Sequence, residues 1–168
     1  KEVNPAAKLL VGGSGPYLER YYDLVRHGDL AGDVIFTGFV PDADLPKYYA
    51  AADMFAIASK FETQGLVILE ALAAGRPVAG ANFRAIPEFV HEGENGFLFD
   101  PTDVSGCAAA VLKSFTLTVT SEGALTAGLD VEPLAGVADS GDLAEDLSDL
   151  FVALGEAARD HDTGVVFL

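Results

Sequence analysis

The sequence predicts an α/β domain in which a parallel β-sheet is covered by helices on both faces. Short apolar runs alternate with amphipathic segments along the first 114 residues. The apolar runs carry hydrophobic side chains at successive positions, which is typical of parallel strands buried on both faces. Glycines follow several amphipathic segments where helices are expected to end.

Two pairs of strand and helix open the chain. "AKLLVGG", residues 7–13, is an apolar strand ending in glycines, and the helix after it begins at Pro16 and ends at Gly28. "DVIFTGFV", residues 33–40, is a second buried strand. The short helix that follows it has Asp42 as its candidate N-cap.

Three further strands continue the alternation. They are predicted at residues 53–59, 77–81 and 96–99. The helices that follow them are predicted at residues 62–75, 85–93 and 102–114. Gly75 is expected to end the first of these three helices.

The helix around "GLVILEALAAG" has an unusual apolar stripe. Leu66, Leu69, Glu70 and Ala73 fall at i, i+3, i+4 and i+7, the spacing of a face that packs against a core. On this reading the stripe that faces the core contains a carboxylate. Such an acid requires either a polar partner or a position at the rim of the core.

The composition changes near Ser114. Residues 1–114 carry a net charge of −6 and residues 115–168 a net charge of −10. The second part predicts a hairpin around "SEG", an acidic helix at residues 142–160 and a strand at 164–168. We therefore expect a first domain at residues 1–114 and an acidic α+β tail at 115–168. The tail either pairs with the parallel sheet or is an unrelated appendage.

Charge and composition exclude several classes of function. The net charge of −16 argues against binding of nucleic acid through the phosphate backbone, because no basic stripe is present. Such acidity suits a high-salt cytoplasm, although an ordinary acidic protein is equally compatible. No apolar run reaches the roughly 20 residues of a membrane span, which predicts a cytoplasmic location. The single cysteine, Cys107, is expected in the core, and neither a disulfide nor a metal site is predicted.

The loop "SKFETQG" is the candidate ligand site. Ligands of open parallel sheets bind beyond the C-terminal ends of the strands, where loops lead into helices. A helix beginning near Gly65 would present unpaired N–H groups of Gly65, Leu66 and Val67 to a diphosphate. Gly65 has no side chain to prevent close approach. Glu62 would lie at the mouth of the site, and Glu70 could accept hydrogen bonds from the two hydroxyls of a ribose.

The ordered set of segments resembles a known family. "LLVGGSGPYLE", "IFTGFVPDADLPKYYAAADMFAIAS", "ETQGLVILEALAAGRPV" and "AIPEFVHEGENGFLFDPTD" follow one another between about residues 8 and 113. Together they resemble the C-terminal, donor-binding domain of the group-1 retaining glycosyltransferases. These enzymes have two Rossmann-like domains, the GT-B architecture, and include sucrose-phosphate, glycogen and glycolipid synthases.

The resemblance implies roles for individual residues. Glu70 would bind the ribose of a nucleotide-diphosphate sugar, and Glu62 would approach the donor sugar as a catalytic residue, either as nucleophile or as electrostatic support. Backbone amides at Leu66 and Val67 would hold the diphosphate. Main-chain atoms around Val40 would contact the base. No cofactor or metal is implied.

The resemblance also implies that the chain contains only part of such an enzyme. The family's acceptor domain and its basic diphosphate-binding residues precede the matched region, so transfer by this chain alone is not expected. The acceptor is unknown, and peripheral attachment of the full-length enzyme to a membrane stays open. A nucleotide-sugar epimerase and a non-catalytic interaction fragment are the alternatives. The tail is faintly similar to AAA-type ATPases, but no phosphate-binding loop accompanies it.

Overall fold

The computed structural model describes residues 8–28, 30–115, 117–119, 125–127 and 165–167. Strands and helices alternate along the first part of the chain, as expected from the sequence. In chain order the elements are β1 (Lys8–Gly12), α1 (Leu18–His27), β2 (Val34–Gly38), α2 (Leu45–Ala51), β3 (Met54–Ile57), α3 (Leu66–Ala73), β4 (Val78–Ala81), α4 (Ile86–Phe89), β5 (Gly96–Phe99), α5 (Val104–Phe115), β6 (Leu117–Val119), β7 (Leu125–Ala127) and β8 (Val165–Phe167).

Six of the strands form one parallel sheet in the order β2-β1-β8-β3-β4-β5. Every residue of β3 and of β4 is buried. Because successive side chains of a strand point to opposite faces, this burial means that both faces of the sheet are covered at these strands. The predicted fold class, a Rossmann-like parallel sheet with helices on both faces, is confirmed.

The strand β8 lies inside the parallel sheet. Val165, Val166 and Phe167 pair with Lys8, Leu9 and Leu10 of β1 on one side, and β8 pairs with β3 on the other. Pairing of the terminal strand with the sheet is one of the two alternatives that the sequence left open. The division of the chain at residue 114 stays a prediction.

The predicted hairpin is confirmed for its two strands. Leu117, Thr118 and Val119 pair antiparallel with Ala127, Thr126 and Leu125. The predicted acidic helix at residues 142–160 lies outside the described residues. Within the described part of the chain, none of the helices has the length and apolar character needed to cross a bilayer. The cytoplasmic location stays a prediction.

The predicted inward stripe of α3 is wrong. Leu66 is 58% exposed and Leu69 is 44% exposed, and Glu70 and Ala73 also lie on the exposed face. The residues that α3 packs into the core are Ile68 and Ala71, both completely buried. Apart from Glu70, every residue of α3 is apolar, so either face could have packed against the sheet. The spacing alone did not distinguish the two faces.

Glycine ends α3 as predicted. Gly75 has φ +72°, and its N–H donates to the carbonyl of Leu72, while the N–H of Arg76 donates to Ala71. These two bonds form the Schellman motif, in which a left-handed residue after the helix satisfies its last carbonyls.

The expected N-cap of α2 is wrong. The helix begins at Leu45, and Asp44, not Asp42, occupies the N-cap position. The carboxylate of Asp44 makes no capping hydrogen bond and accepts one from Nζ of Lys47 at 2.6 Å. The carboxylate of Asp44 is thus paired with a lysine about one turn along the helix.

Cys107 lies in α5, where it packs against the main hydrophobic core. Burial, followed by the nearby charge of Asp103, raises the pKa of its thiol to about 12. The thiol is therefore protonated at neutral pH and acts as a small apolar side chain.

Candidate functional site

The candidate site lies at the carboxyl edge of the parallel sheet. The loop between β3 and α3, residues 58–65, carries Glu62 and Gly65, and Val40 follows β2 at the same edge. The turn between β4 and α4 carries Arg84. Since all strands of the sheet run in one direction, the three connections open on one side.

Gly65 is the N-cap of α3 and has a left-handed backbone, with φ +67°. A Cβ atom at this position would lie 2.5 Å from Cδ2 and Cε2 of Phe89. Both the dihedral angle and the ring therefore require glycine. The sequence analysis explained this glycine differently, by the close approach of a ligand.

The carboxylate of Glu62 accepts hydrogen bonds from the backbone of its own loop. Its Oε1 accepts hydrogen bonds from the N–H groups of Thr63 at 3.0 Å, Gln64 at 2.9 Å and Gly65 at 2.8 Å. The bonds from Gln64 and Gly65, and then that from Thr63, hold the pKa of the carboxyl below its usual value. Glu62 is therefore ionised at neutral pH, and its second oxygen, Oε2, has no hydrogen bond from the described residues.

The expectation that the N–H of Gly65 is unpaired is wrong, because Glu62 accepts its hydrogen bond. The amides of Leu66 and Val67 are unpaired in the described part of the chain, while their binding of a diphosphate stays a prediction. The first intrahelical bonds of α3 come from Ile68 and Leu69, which both donate to the carbonyl of Gly65. Within the described residues, the N–H groups of Leu66 and Val67 have no acceptor. Two donors at the positive end of a helix are thus available to an anion.

Glu70 is hydrogen-bonded to a tyrosine of the neighbouring helix. The hydroxyl of Tyr49, in α2, donates to Oε2 of Glu70 at 3.1 Å. Tyr49 is only 3% exposed, and its ring makes an edge contact with Phe55 at 5.6 Å between centroids. Burial, and then the bond to Glu70 and its charge, raise the pKa of Tyr49, so the hydroxyl remains a donor. The sequence analysis missed Tyr49, although a buried tyrosine generally needs a partner for its hydroxyl.

A cleft of about 470 Å³ lies between α2 and α3. Tyr49 and Glu70 both line it. From the loop after β2, Asp42 lines the cleft and Val40 does not. Val40 is half-buried and lies two residues after β2. The complete lining is Asp42, Leu45, Pro46, Tyr49, Glu70, Ala73 and Ala74.

Arg84 lies between two phenylalanine rings beside the loop. Its Cζ is 5.9 Å from the centroid of Phe61 and 5.8 Å from that of Phe83. Among the described residues, it is the one non-glycine residue with positive φ, at 51°. Both rings are exposed, Phe61 by 81%. The guanidinium is attracted to the faces of both rings.

A sequence model of one family, described as glycosyl transferases group 1, matches residues 1–116. The sulfoquinovosyl transferase SQD2 of Arabidopsis thaliana is 39% identical over 106 residues, which cover 61% of this chain and 20% of that protein. A GDP-mannose-dependent alpha-(1-6)-phosphatidylinositol monomannoside mannosyltransferase of Mycobacterium tuberculosis is 39% identical over 118 residues, covering 66% and 30%.

A solved structure has the same fold and a related sequence. Sucrose-phosphate synthase from Thermosynechococcus elongatus superposes with a TM-score of 0.57 at 35% identity, covering 61% of this chain and 27% of the synthase. The chain thus spans less than a third of the length of each of these proteins. The family match ends at residue 116 and gives no support to the ATPase-like resemblance of the tail. It covers more than half of the residues, and the chain belongs to the group-1 glycosyl transferases.

Proposed function

We propose that residues 1–114 are the donor-binding domain of a retaining glycosyltransferase that uses a nucleotide-diphosphate sugar. One arrangement carries the proposal. The unpaired amides of Leu66 and Val67 lie at the N-terminus of α3. Glu70 lies on the same helix, and Tyr49 of α2 donates a hydrogen bond to its carboxylate. Glu70 follows Leu66 by four residues, which is about 6 Å along a helix. A diphosphate at the amides and a ribose at Glu70 fit that separation.

The donor chemistry follows from these groups. The amides of Leu66 and Val67 bind the phosphates without a basic side chain, as helix N-termini do for many phosphate ligands. Glu70 accepts hydrogen bonds from the ribose hydroxyls, since a carboxylate accepts several at once. The mycobacterial relative is named for its dependence on GDP-mannose, which is such a donor. The main chain at Val40 contacts the base.

Glu62 is the candidate catalytic residue. Because three backbone N–H groups lower its pKa, Glu62 is poorly suited to give a proton to a leaving group. Its ionised Oε2 suits either nucleophilic attack or stabilisation of positive charge on the reacting sugar carbon. The fixed Oε1 favours stabilisation, since a carboxylate held by its own loop moves little during the reaction.

The chain alone binds a donor and does not transfer its sugar. The matched segments make up only 20% and 30% of these relatives, and the rest of such a protein would supply the acceptor site. Membership of a transferase family favours transfer over the epimerase alternative. We retain the division into a donor domain, residues 1–114, and an acidic segment, residues 115–168, as part of the proposal.

Calorimetry with UDP, GDP and ADP, and then with their sugars, tests donor binding. A nucleoside diphosphate should bind with a Kd below about 1 mM, which corresponds to about 4 kcal/mol. Glu70→Ala should weaken the binding about tenfold or more, because two charge-assisted hydrogen bonds are lost. Glu19→Ala is the matched control, since it removes an exposed carboxylate from α1. If none of the three nucleotides binds, the proposal fails, and equal binding by the Glu70 variant would remove Glu70 from the site.

A further inference from the structure

We propose that Tyr49 is a positioning residue that holds Glu70 for recognition of the ribose and so sets the preference for ribonucleotides over deoxyribonucleotides. The inference rests on the proposed function and extends it to a residue on a different helix. It is carried by a hydrogen bond between two side chains that are 21 residues apart in the sequence.

The two residues differ in how firmly they are held. Tyr49 is buried, belongs to the main hydrophobic core and makes an edge contact with Phe55. Glu70 lies on the exposed face of α3. An exposed glutamate samples several rotamers, and ordering it on ligand binding has an entropic cost. Because Tyr49 is held in the core, its hydrogen bond restricts the rotamers of Glu70 before a ligand binds.

The bond leaves Glu70 able to bind a diol. Tyr49 donates to Oε2 and occupies one of the roughly four lone-pair positions of a carboxylate. The other positions, including those of Oε1, remain for two ribose hydroxyls.

A 2′-deoxyribose has only one of the two hydroxyls. A carboxylate held in one orientation discriminates strongly between a diol and a single hydroxyl, because one oxygen is left without a donor. A carboxylate free to rotate can adjust to the single hydroxyl and discriminates less. The ratio of the Kd values for the 2′-deoxy and ribose forms of one nucleoside diphosphate therefore measures the positioning directly.

Tyr49→Phe is the decisive variant because the ring keeps its packing against Phe55 and loses only the hydroxyl. We expect the Kd for UDP or GDP to rise about fivefold, because the ligand must then order the Glu70 side chain on binding. The ratio between deoxyribose and ribose forms should fall by at least half. Tyr22→Phe is the control, since Tyr22 of α1 packs against Phe36 of β2 and is not among the residues that line the cleft. It should change neither quantity.

A second measurement needs no ligand. Three-bond NMR couplings of the Glu70 side chain should show one dominant rotamer in the wild type and averaged rotamers in Tyr49→Phe. A merely structural role for Tyr49 would alter the melting temperature and leave both the couplings and the affinity ratio unchanged. That result would overturn the inference while nucleotide binding by the wild type still supported the proposed function. If the wild type binds no ribonucleotide, the proposed function fails and the role in ribose recognition fails with it.

Discussion

Gly65 and Phe89 pack so closely that a methyl group on Gly65 would lie 2.5 Å from two carbon atoms of the ring. The contact joins the N-terminus of α3 to α4 and fixes the loop that carries Glu62. Because Gly65 also has φ +67°, the position excludes other residues for two separate reasons.

Gly65→Ala should lower the free energy of unfolding by about 2 kcal/mol or more, combining a left-handed backbone with overpacking. Denaturant unfolding measures the loss. Gly32→Ala is the control, because no atom lies within 4 Å of a Cβ there. In the background of Phe89→Ala, the cost of Gly65→Ala should shrink to about 1 kcal/mol, the backbone part alone. An unchanged cost in that background would contradict the contact with Phe89.

Ile68→Ala and Leu69→Ala should have very different effects although they are neighbours on α3. Ile68 is completely buried, so its truncation should cost about 2–5 kcal/mol of unfolding free energy. Leu69 is 44% exposed, and its truncation should cost well under half of that, with Leu66→Ala behaving similarly. Thermal or chemical unfolding of the three variants decides the matter. Equal losses of unfolding free energy for Ile68→Ala and Leu69→Ala would support the prediction from the spacing, in which Leu69 faces the core.

Glu62→Gln should reduce stability in a pH-dependent manner. The folded pKa of Glu62 is lowered, so the charge contributes stability above its unfolded value of about 4.5. That contribution is lost as the pH falls through the folded pKa. The difference between wild type and Glu62→Gln should therefore be largest near pH 7 and vanish at the acid end. A difference that is independent of pH would show that the charge of Glu62 does not hold the loop.

The phosphates and the ribose should contribute to binding independently. Removal of both phosphates, by comparing UDP with uridine, should raise the Kd about tenfold or more, because two amide hydrogen bonds to an anion are lost. The same factor is expected in Glu70→Ala, since the amides of Leu66 and Val67 are unchanged there. Calorimetry or NMR titration measures both ratios. If the phosphate factor disappears in the Glu70 variant, the two subsites are not separate.

Removal of residues 161–168, and with them β8, should destabilise the sheet. The strand pairs with β1 and with β3, and its loss leaves one edge of each without backbone partners. A clearly lower melting temperature and faster amide exchange in Lys8–Leu10 and Met54–Phe55 are expected. An unchanged melting temperature would mark the segment as an appendage.

Much of the fold could be predicted because its information is local. Continuous apolar runs indicate buried parallel strands, and Gly28 and Gly75 lie within two residues of the ends of α1 and α3. The positions of Glu62 and Gly65 relative to one helix start are also a local property. Each depends on a few consecutive residues, so the order of the elements and the location of the candidate site could be predicted from the sequence.

What the sequence by itself determined is the parallel α/β class, the order of its elements and the family to which residues 1–116 belong. Only the tertiary structure decided which face of α3 is buried, because both faces are apolar and the choice depends on the sheet beneath them. It also decided that Glu62 accepts a hydrogen bond from the N–H of Gly65 and that Tyr49 donates one to Glu70. The first contact depends on the dihedral angles of one turn, and the second depends on the packing of two helices. Neither produces a periodic pattern of residues in the sequence.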